Sequence, residues 1–204
     1  MNKISVIVFD LGNVLINFDY NITREKLNSV EKNLGNNFLE YYKNNYEIHR
    51  KFESGKLSED AFLENMLKYL KHKVDKEFFC NAYSDIFTVN QEVVNLLPIL
   101  KRNYQLVLLS NTDPIHRKYG WEKYDFLKYF DKMILSFEAG SVKPEEKIYK
   151  EVEKFTGKQP SEHFYTDDIS EYIEGAKNLG WDAVQFTSYK KLKAELVKRK
   201  IIAA

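Results

Sequence analysis

Short apolar runs rich in β-branched residues recur along the chain, and each stops at polar turn formers. Ile4-Ser5-Val6-Ile7-Val8-Phe9 ends at Asp10-Leu11-Gly12-Asn13, and residues 105–109 end at Ser110-Asn111-Thr112. Residues 133–136, 163–166 (ahead of Asp167-Asp168) and 182–186 repeat the pattern. Runs of this length and composition predict buried strands. From the second strand onward they alternate with helical periodicity over residues 119–129, 145–156 and 170–179. Such alternation predicts an α/β fold with a mostly parallel sheet and helices on both faces.

Residues 20–90 read differently, as helices with no strand of comparable strength. Asn21 is placed to cap a first helix that Gly35 ends. A second spans residues 38–54, with Gly55 behind it. Ser58 is placed to cap a third, whose Phe62, Met66 and Leu70 share a face. Asp75 is placed to cap a fourth, running through Phe87. The expected organisation is a core of residues 1–16 and 91–204, interrupted by a small helical bundle over residues 17–90.

The 204 residues and 44% hydrophobic content suffice for one sizeable domain and an insert. A formal net charge of +1 supplies no general attraction to nucleic acid or to membrane surfaces, and neither is expected as a partner. The single cysteine, Cys80, lies in an apolar context and reads as a buried, inert thiol in a reducing compartment. The apolar stretch at residues 4–9 is too short to span a membrane and lacks a small-residue cleavage site, so a soluble cytoplasmic protein is expected. Oligomeric state is not legible.

Open parallel sheets bind ligands at the carboxyl ends of their strands. Here those ends carry Asp10, Ser110, Asp167 and Asp168, with Lys143 in the segment after the third strand. Each alone reads as a turn, a cap or a solvated lysine. Together they converge on one rim as three carboxylates, an ammonium and a hydroxyl. Three neighbouring carboxylates resist full ionisation, which a hard divalent cation relieves.

Val8-Phe9-Asp10-Leu11-Gly12-Asn13-Val14-Leu15, Leu108-Leu109-Ser110-Asn111-Thr112, Lys143-Pro144 with Ile148-Tyr149, and Phe164-Tyr165-Thr166-Asp167-Asp168 with Glu174-Gly175-Ala176 and Gly180 follow in order. This series resembles the four motifs of the haloacid dehalogenase (HAD) superfamily over nearly the whole chain. The helical insert sits where that family's subfamily I places its type-1 cap, and Glu53-Ser54-Gly55-Lys56-Leu57-Ser58 resembles a recurrent turn of that cap. The resemblance implies a three-layer, Rossmann-like core and a Mg²⁺-dependent phosphate-monoester hydrolase. Asp10 would attack phosphorus and form an aspartyl-phosphate. Mg²⁺ would be held by Asp10, the Gly12 carbonyl and Asp168, with Asp167 beside or on it. Ser110, Asn111 and Lys143 would bind the phosphoryl group, and Lys143 would restrain Asp10. The expected partner is a small phosphorylated metabolite such as a sugar phosphate, since the Phe-Asp-Leu-Gly-Asn-Val subset includes sugar-1-phosphate phosphatases.

The chain departs from the family at Gly12, where most of its phosphatases carry a second Asp that protonates the leaving group. Asp19 is the nearest substitute acid in sequence, although its position also suits a turn or helix start. Without that acid, leaving groups of modest pKa are expected to be preferred: anomeric, acyl or aryl phosphates. Two alternatives are a 2-haloacid dehalogenase, which also lacks the second Asp and needs no metal, and a non-catalytic binding module on the same fold. His49, Arg50 and Lys51 in the insert, and Asp113, His116 and Trp121 after the second strand, are candidates to meet the substrate. His72 and His163 are assigned nothing.

Overall fold

The computed structural model describes residues 4–203. Strand β1 (Val6–Phe9) is buried on both faces, as expected of a central parallel strand. A short strand β2 (Ile16–Phe18) follows the Asp10 turn. Helices α1 (Tyr20–Val30), α2 (Leu34–Asn44), α3 (Tyr46–Glu53), α4 (Glu59–Tyr69) and α5 (Lys76–Ser84) form the insert. Strand β3 (Phe87–Val89) returns antiparallel to β2, pairing Ile16 with Val89 and Phe18 with Phe87. The chain thus leaves and re-enters the core through one two-stranded ribbon.

Two one-turn helices, α6 (Gln91–Val94) and α7 (Leu97–Leu100), lead to β4 (Gln105–Ser110). Then come β5 (Lys132–Leu135), a one-turn α8 (Ser136–Ala139), α9 (Glu146–Thr156), β6 (His163–Asp167), α10 (Ser170–Asn178), β7 (Asp182–Gln185) and α11 (Tyr189–Lys198). The sheet is parallel, in the order β5-β4-β1-β6-β7. Its period-two alternation feeds two cores. Ile7, Phe9, Leu106, Leu108 and Phe164 pack with Leu97, Leu100, Leu192 and Leu196. Val6, Val8, Val107, Leu109 and Tyr165 pack with Ile148, Val152, Ile173 and Ala176. A third core of Leu27, Phe38, Phe52, Phe62, Met66, Leu70, Phe79 and Tyr83 belongs to the insert. This is the Rossmann-like α/β core with an inserted helical region.

Several local expectations are corrected. Asp19, not Asn21, caps α1: its carboxylate accepts the Asn21 N–H at 2.9 Å. Gly35 does not end that helix, which stops at Val30; it lies in the first turn of α2, where a Cβ would stand 2.0 Å from the Arg24 carbonyl oxygen. The glycine serves close helix approach rather than termination. The expected helix over residues 38–54 breaks at Asn45, whose φ of −125° and ψ of 37° are not helical and whose side chain donates to the Tyr41 carbonyl at 2.9 Å. The helix capped by Asp75 ends at Ser84, because Phe87 belongs to β3. Residues 119–129 form no α-helix but a wide π-helical turn (His116–Trp121) and then a 3₁₀ turn (Asp125–Tyr129).

If Asp19 acts as a helix cap, Asp19→Ala should lower stability by about 1 kcal/mol in chemical denaturation, while Asp19→Asn should change it by far less.

Candidate active site

Burial and pairing place Asp10 at the end of β1, where its N–H extends the ladder to the Thr166 carbonyl at 3.0 Å. The Lys143 ammonium, 1% exposed, lies 2.6 Å from Asp10 Oδ1 and 2.6 Å from Asp167 Oδ2, and donates to the Leu109 carbonyl at 3.2 Å. It also stands over the Tyr172 ring, 5.0 Å from its centroid. All three ammonium donors are therefore occupied, and a phosphoryl contact requires exchange of one of them. The Lys143–Pro144 peptide is cis.

The charges in this cluster do not balance. Burial above all, then Asp167, pushes Asp10 up to about 8, against the pull of Lys143. Burial also raises Asp168, although the Asn13 amide donates to its Oδ2 at 3.0 Å. Burial alone would lower Lys143, but Asp10 and Asp167 outweigh it and hold the ammonium well above its ordinary value. Three carboxylates face one ammonium, and their oxygens lie within 4.8 Å of one another. That donor set fits a hard divalent cation.

Asp167 is strongly engaged by the protein. Its Oδ2 also accepts from the Tyr165 hydroxyl, its Oδ1 accepts the Ile169 N–H at 2.8 Å, and it is fully buried. With Asp10 and Asp168 it completes the group of carboxylates able to hold a divalent cation. Ser110 is buried at the cavity wall, with one long contact of 3.4 Å to the Asn111 carbonyl. The Asn111 amide is committed elsewhere than to phosphate. It accepts the Lys143 N–H at 2.8 Å, and donates to the Lys143 carbonyl at 3.2 Å and to the Tyr172 hydroxyl at 3.3 Å. Asn111 thus positions the lysine. The Asp19 carboxylate caps α1 and is not among the residues that line the cavity.

These groups floor a cavity of about 260 Å³ roofed by the insert. His49, Glu53, Tyr20, Tyr42 and Tyr46 line the roof, and His116 and Trp121 a side wall. Arg50 donates from the insert to the Lys143 carbonyl at 2.9 Å, tying roof to floor. Gly55, with a φ of +68°, packs so closely on the core that a Cβ would lie 2.4 Å from the Phe137 carbonyl oxygen. Trp121 is 1% exposed and belongs to the core. Cys80 is buried, and burial pushes its thiol up to about 11, as an inert residue requires. His163 is buried against Trp181, with both ring nitrogens occupied. Sequence reasoning missed Asn13, Glu53, Tyr172 and the tyrosine roof as wall residues. Of these, Asn13 and Glu53 stood inside recognisable motifs.

The profile of the haloacid dehalogenase-like hydrolases matches residues 4–180. The chain belongs to that family. It is similar to the D-ribitol-5-phosphate phosphatase of Bacteroides thetaiotaomicron, 29% identical over 189 residues, covering 88% of this chain and 90% of that one. It is also similar to the glyceraldehyde 3-phosphate phosphatase of Pyrococcus furiosus, 26% identical over 206 residues, covering 91% and 82%. The crystal structure of a HAD family enzyme from B. thetaiotaomicron, in complex with magnesium and inorganic phosphate, superimposes with a TM-score of 0.77 at 26% identity over 91% of this chain and 95% of that one. No helix among the described residues of this family member is long and apolar enough to cross a membrane.

Burial drops His116 to about 4 from its ordinary 6.5, despite the neighbouring Asp113. The unfolded chain takes up this proton from about pH 6.5 downward and the folded chain does not. Stability is therefore undiminished above 6.5 and falls as pH drops towards 4. In metal-free buffer, His116→Gln should remove on the order of 3 kcal/mol of that acid-side loss, read from denaturation midpoints between pH 7 and 4.

Proposed function

We propose that Asp10 is the nucleophile of a Mg²⁺-dependent phosphate-monoester hydrolase acting on a small phosphorylated sugar or polyol. The single observation that carries this reading is the buried Lys143 ammonium between Asp10 and Asp167, on the floor of the cavity and beside Asp168. A carboxylate approaches a phosphate dianion only when nearby positive charge offsets the repulsion. Lys143 supplies one such charge, and bound Mg²⁺ would supply the remainder at Asp10, Asp168 and the Gly12 carbonyl.

An Asp10 oxygen forms a bond to phosphorus as the bond to the leaving-group oxygen breaks, giving an aspartyl-phosphate and an alkoxide or aryloxide that takes a proton from solvent. The Ser110 hydroxyl donates to a phosphoryl oxygen. Lys143 holds Asp10 in line through the attack. A water then attacks the phosphorus and releases a proton to solvent as the bond between phosphorus and the Asp10 oxygen breaks, so that inorganic phosphate leaves and the Asp10 carboxylate is restored. Asn111 fixes Lys143 from behind through both main-chain contacts. The core would comprise residues 1–16 and 91–204, and residues 17–90 would form the type-1 cap that closes over the substrate and excludes water.

Proton delivery to the leaving group sets the preference. Residue 12 has no side chain, and the Phe18 ring occupies the flank where one would begin: a Cβ there would stand 3.3 Å from Phe18 Cε1. Leaving groups that depart with little help, the anomeric and aryl oxygens, should rank above simple alkyl ones. The resemblance of the Phe-Asp-Leu-Gly-Asn-Val stretch to sugar-1-phosphate phosphatases would agree with this ranking. The cavity volume and the three- and five-carbon substrates in the names of its relatives support a small substrate.

Phosphate release measured over aryl, sugar-1-, sugar-5- and triose phosphates should require Mg²⁺, stop with chelator, and vanish in Asp10→Asn. Turnover that survives Asp10→Asn in folded protein would overturn the assignment. Gly12→Asp should raise kcat on alkyl phosphates selectively, by about tenfold or more against the roughly 10²–10⁴-fold that general acid catalysis supplies. Equal gains on aryl and alkyl substrates would sink the leaving-group argument.

A further inference from the structure

A second cluster of ligand-type side chains stands away from the carboxylate floor, on the opposite side of the same cavity. Asp113 Oδ2 lies 3.7 Å from His49 Nε2 and 3.7 Å from His116 Nε2. All three residues are at least 94% buried. The other ends of these groups are held in place. Asp113 Oδ1 accepts the N–H groups of Ile115 and His116 at 2.9 and 2.8 Å. His116 Nδ1 meets the Ser84 hydroxyl at 3.4 Å, and Ser84 donates on to the Ile115 carbonyl at 3.3 Å. His49 Nδ1 points at Glu53 Oε2, 3.8 Å away.

An independent observation points to a missing occupant. Both ring nitrogens of His49 and Oε2 of Glu53 are buried and have no hydrogen-bond partner. Buried polar groups without partners are costly, so three at one spot point to a ligand. The lining charge selects its sign. Asp113 and Glu53 are carboxyl groups, and of the permanent cations Arg50 reaches Glu53 only at 3.7 Å while Lys143 acts on it from farther off. The Tyr83 hydroxyl donates to Asp113 Oδ2 at 3.4 Å, and the Tyr20 hydroxyl meets His116 Nε2 at 3.3 Å; neither carries positive charge.

We propose that His49 Nε2, Asp113 Oδ2 and His116 Nε2 form a second metal site, for a borderline divalent ion of the zinc or cobalt type, with an open position towards the cavity. Two imidazoles and one carboxylate suit such ions, while the all-oxygen set at Asp10 and Asp168 suits Mg²⁺. The surroundings follow the usual support of metal-binding histidines. Glu53 is placed to accept the proton of His49 Nδ1, and Ser84 to orient His116 through Nδ1. Metal binding requires a neutral imidazole and an ionised carboxylate, so uptake of the ion should weaken as pH falls. Each nitrogen must close on the Asp113 oxygen by a few tenths of an ångström. His49 stands on α3 and His116 after β4, so the ion would also cross-link insert to core.

The test is calorimetric titration of the full chain with Zn²⁺, and with Co²⁺ followed by its visible absorption, in excess Mg²⁺. Wild type and Asp10→Asn should each take up one equivalent, because the second site does not use Asp10. His49→Gln and His116→Gln should each weaken binding at least tenfold and erase the cobalt band. Glu53→Gln should weaken it about 10–100-fold, as loss of a supporting carboxylate does. Asp113→Asn, which keeps the contacts to the backbone N–H groups, guards against a folding defect and should also lose the site. Affinity unchanged in the histidine variants, with native circular dichroism, would overturn the proposal. So would histidine NMR signals that respond to ribitol but not to Zn²⁺, which would make the cluster a hydroxyl pocket. Failure of the phosphatase reading leaves these measurements untouched, since none depends on turnover.

Discussion

The molecule is organised around one buried ammonium. Lys143 has its three donors on Asp10, Asp167 and the Leu109 carbonyl, and so ties the ends of β1, β4 and β6 to a single point. A buried cation of this kind is tolerated only when every donor is matched, and loss of either carboxylate would leave one ammonium donor without its partner. The requirement reaches outward. Asn111 clamps the Lys143 main chain, Tyr165 and the Ile169 N–H saturate Asp167, and Arg50 reaches down from the insert to the Lys143 carbonyl. The same lysine is the group that would let Asp10 meet an anion, so the demands of stability and of chemistry meet in one side chain.

The parallel strands were legible because burial on both faces writes continuous apolar runs, as in Val6–Phe9 and Gln105–Ser110. The β2–β3 ribbon was not. Three residues, of which Asn17 and Phe18 are exposed, carry neither an apolar run nor a clean alternation. Gly35 misled because a glycine demanded by helix contact is written with the same letter as one demanded by a left-handed turn. The break at Asn45 left no trace in a stretch whose apolar positions stay helical on either side. Residues 189–198, a C-terminal helix capped by Ser188, also escaped the strand–helix reading.

At the site, residues in motifs at strand ends could be found from sequence because the topology delivers every strand end to one rim. Their division of labour could not. Asp167 and Asn111 sit in the motifs beside Asp168 and Ser110, and only hydrogen-bond geometry separates a group turned to the cavity from one spent on the protein. The roof was harder still. Tyr42, Tyr46, His49 and Glu53 do fall at helical spacing, but across the break at Asn45 and on two helices, and Tyr20 joins them from a third; their turn towards the cavity is a property of the packed insert.

The ribbon has a consequence for how the chain reaches this state. Pairing β1 with β4 joins Val6 to Gln105, a closure spanning the whole insert. Once Ile16 meets Val89, the free segments between the two central strands shrink about fourfold, which lowers the entropic cost of closing that loop by roughly 1.2 kcal/mol. Prior folding of the inserted helices should therefore accelerate assembly of the sheet, so that the segment interrupting the core becomes the splint on which the core is set.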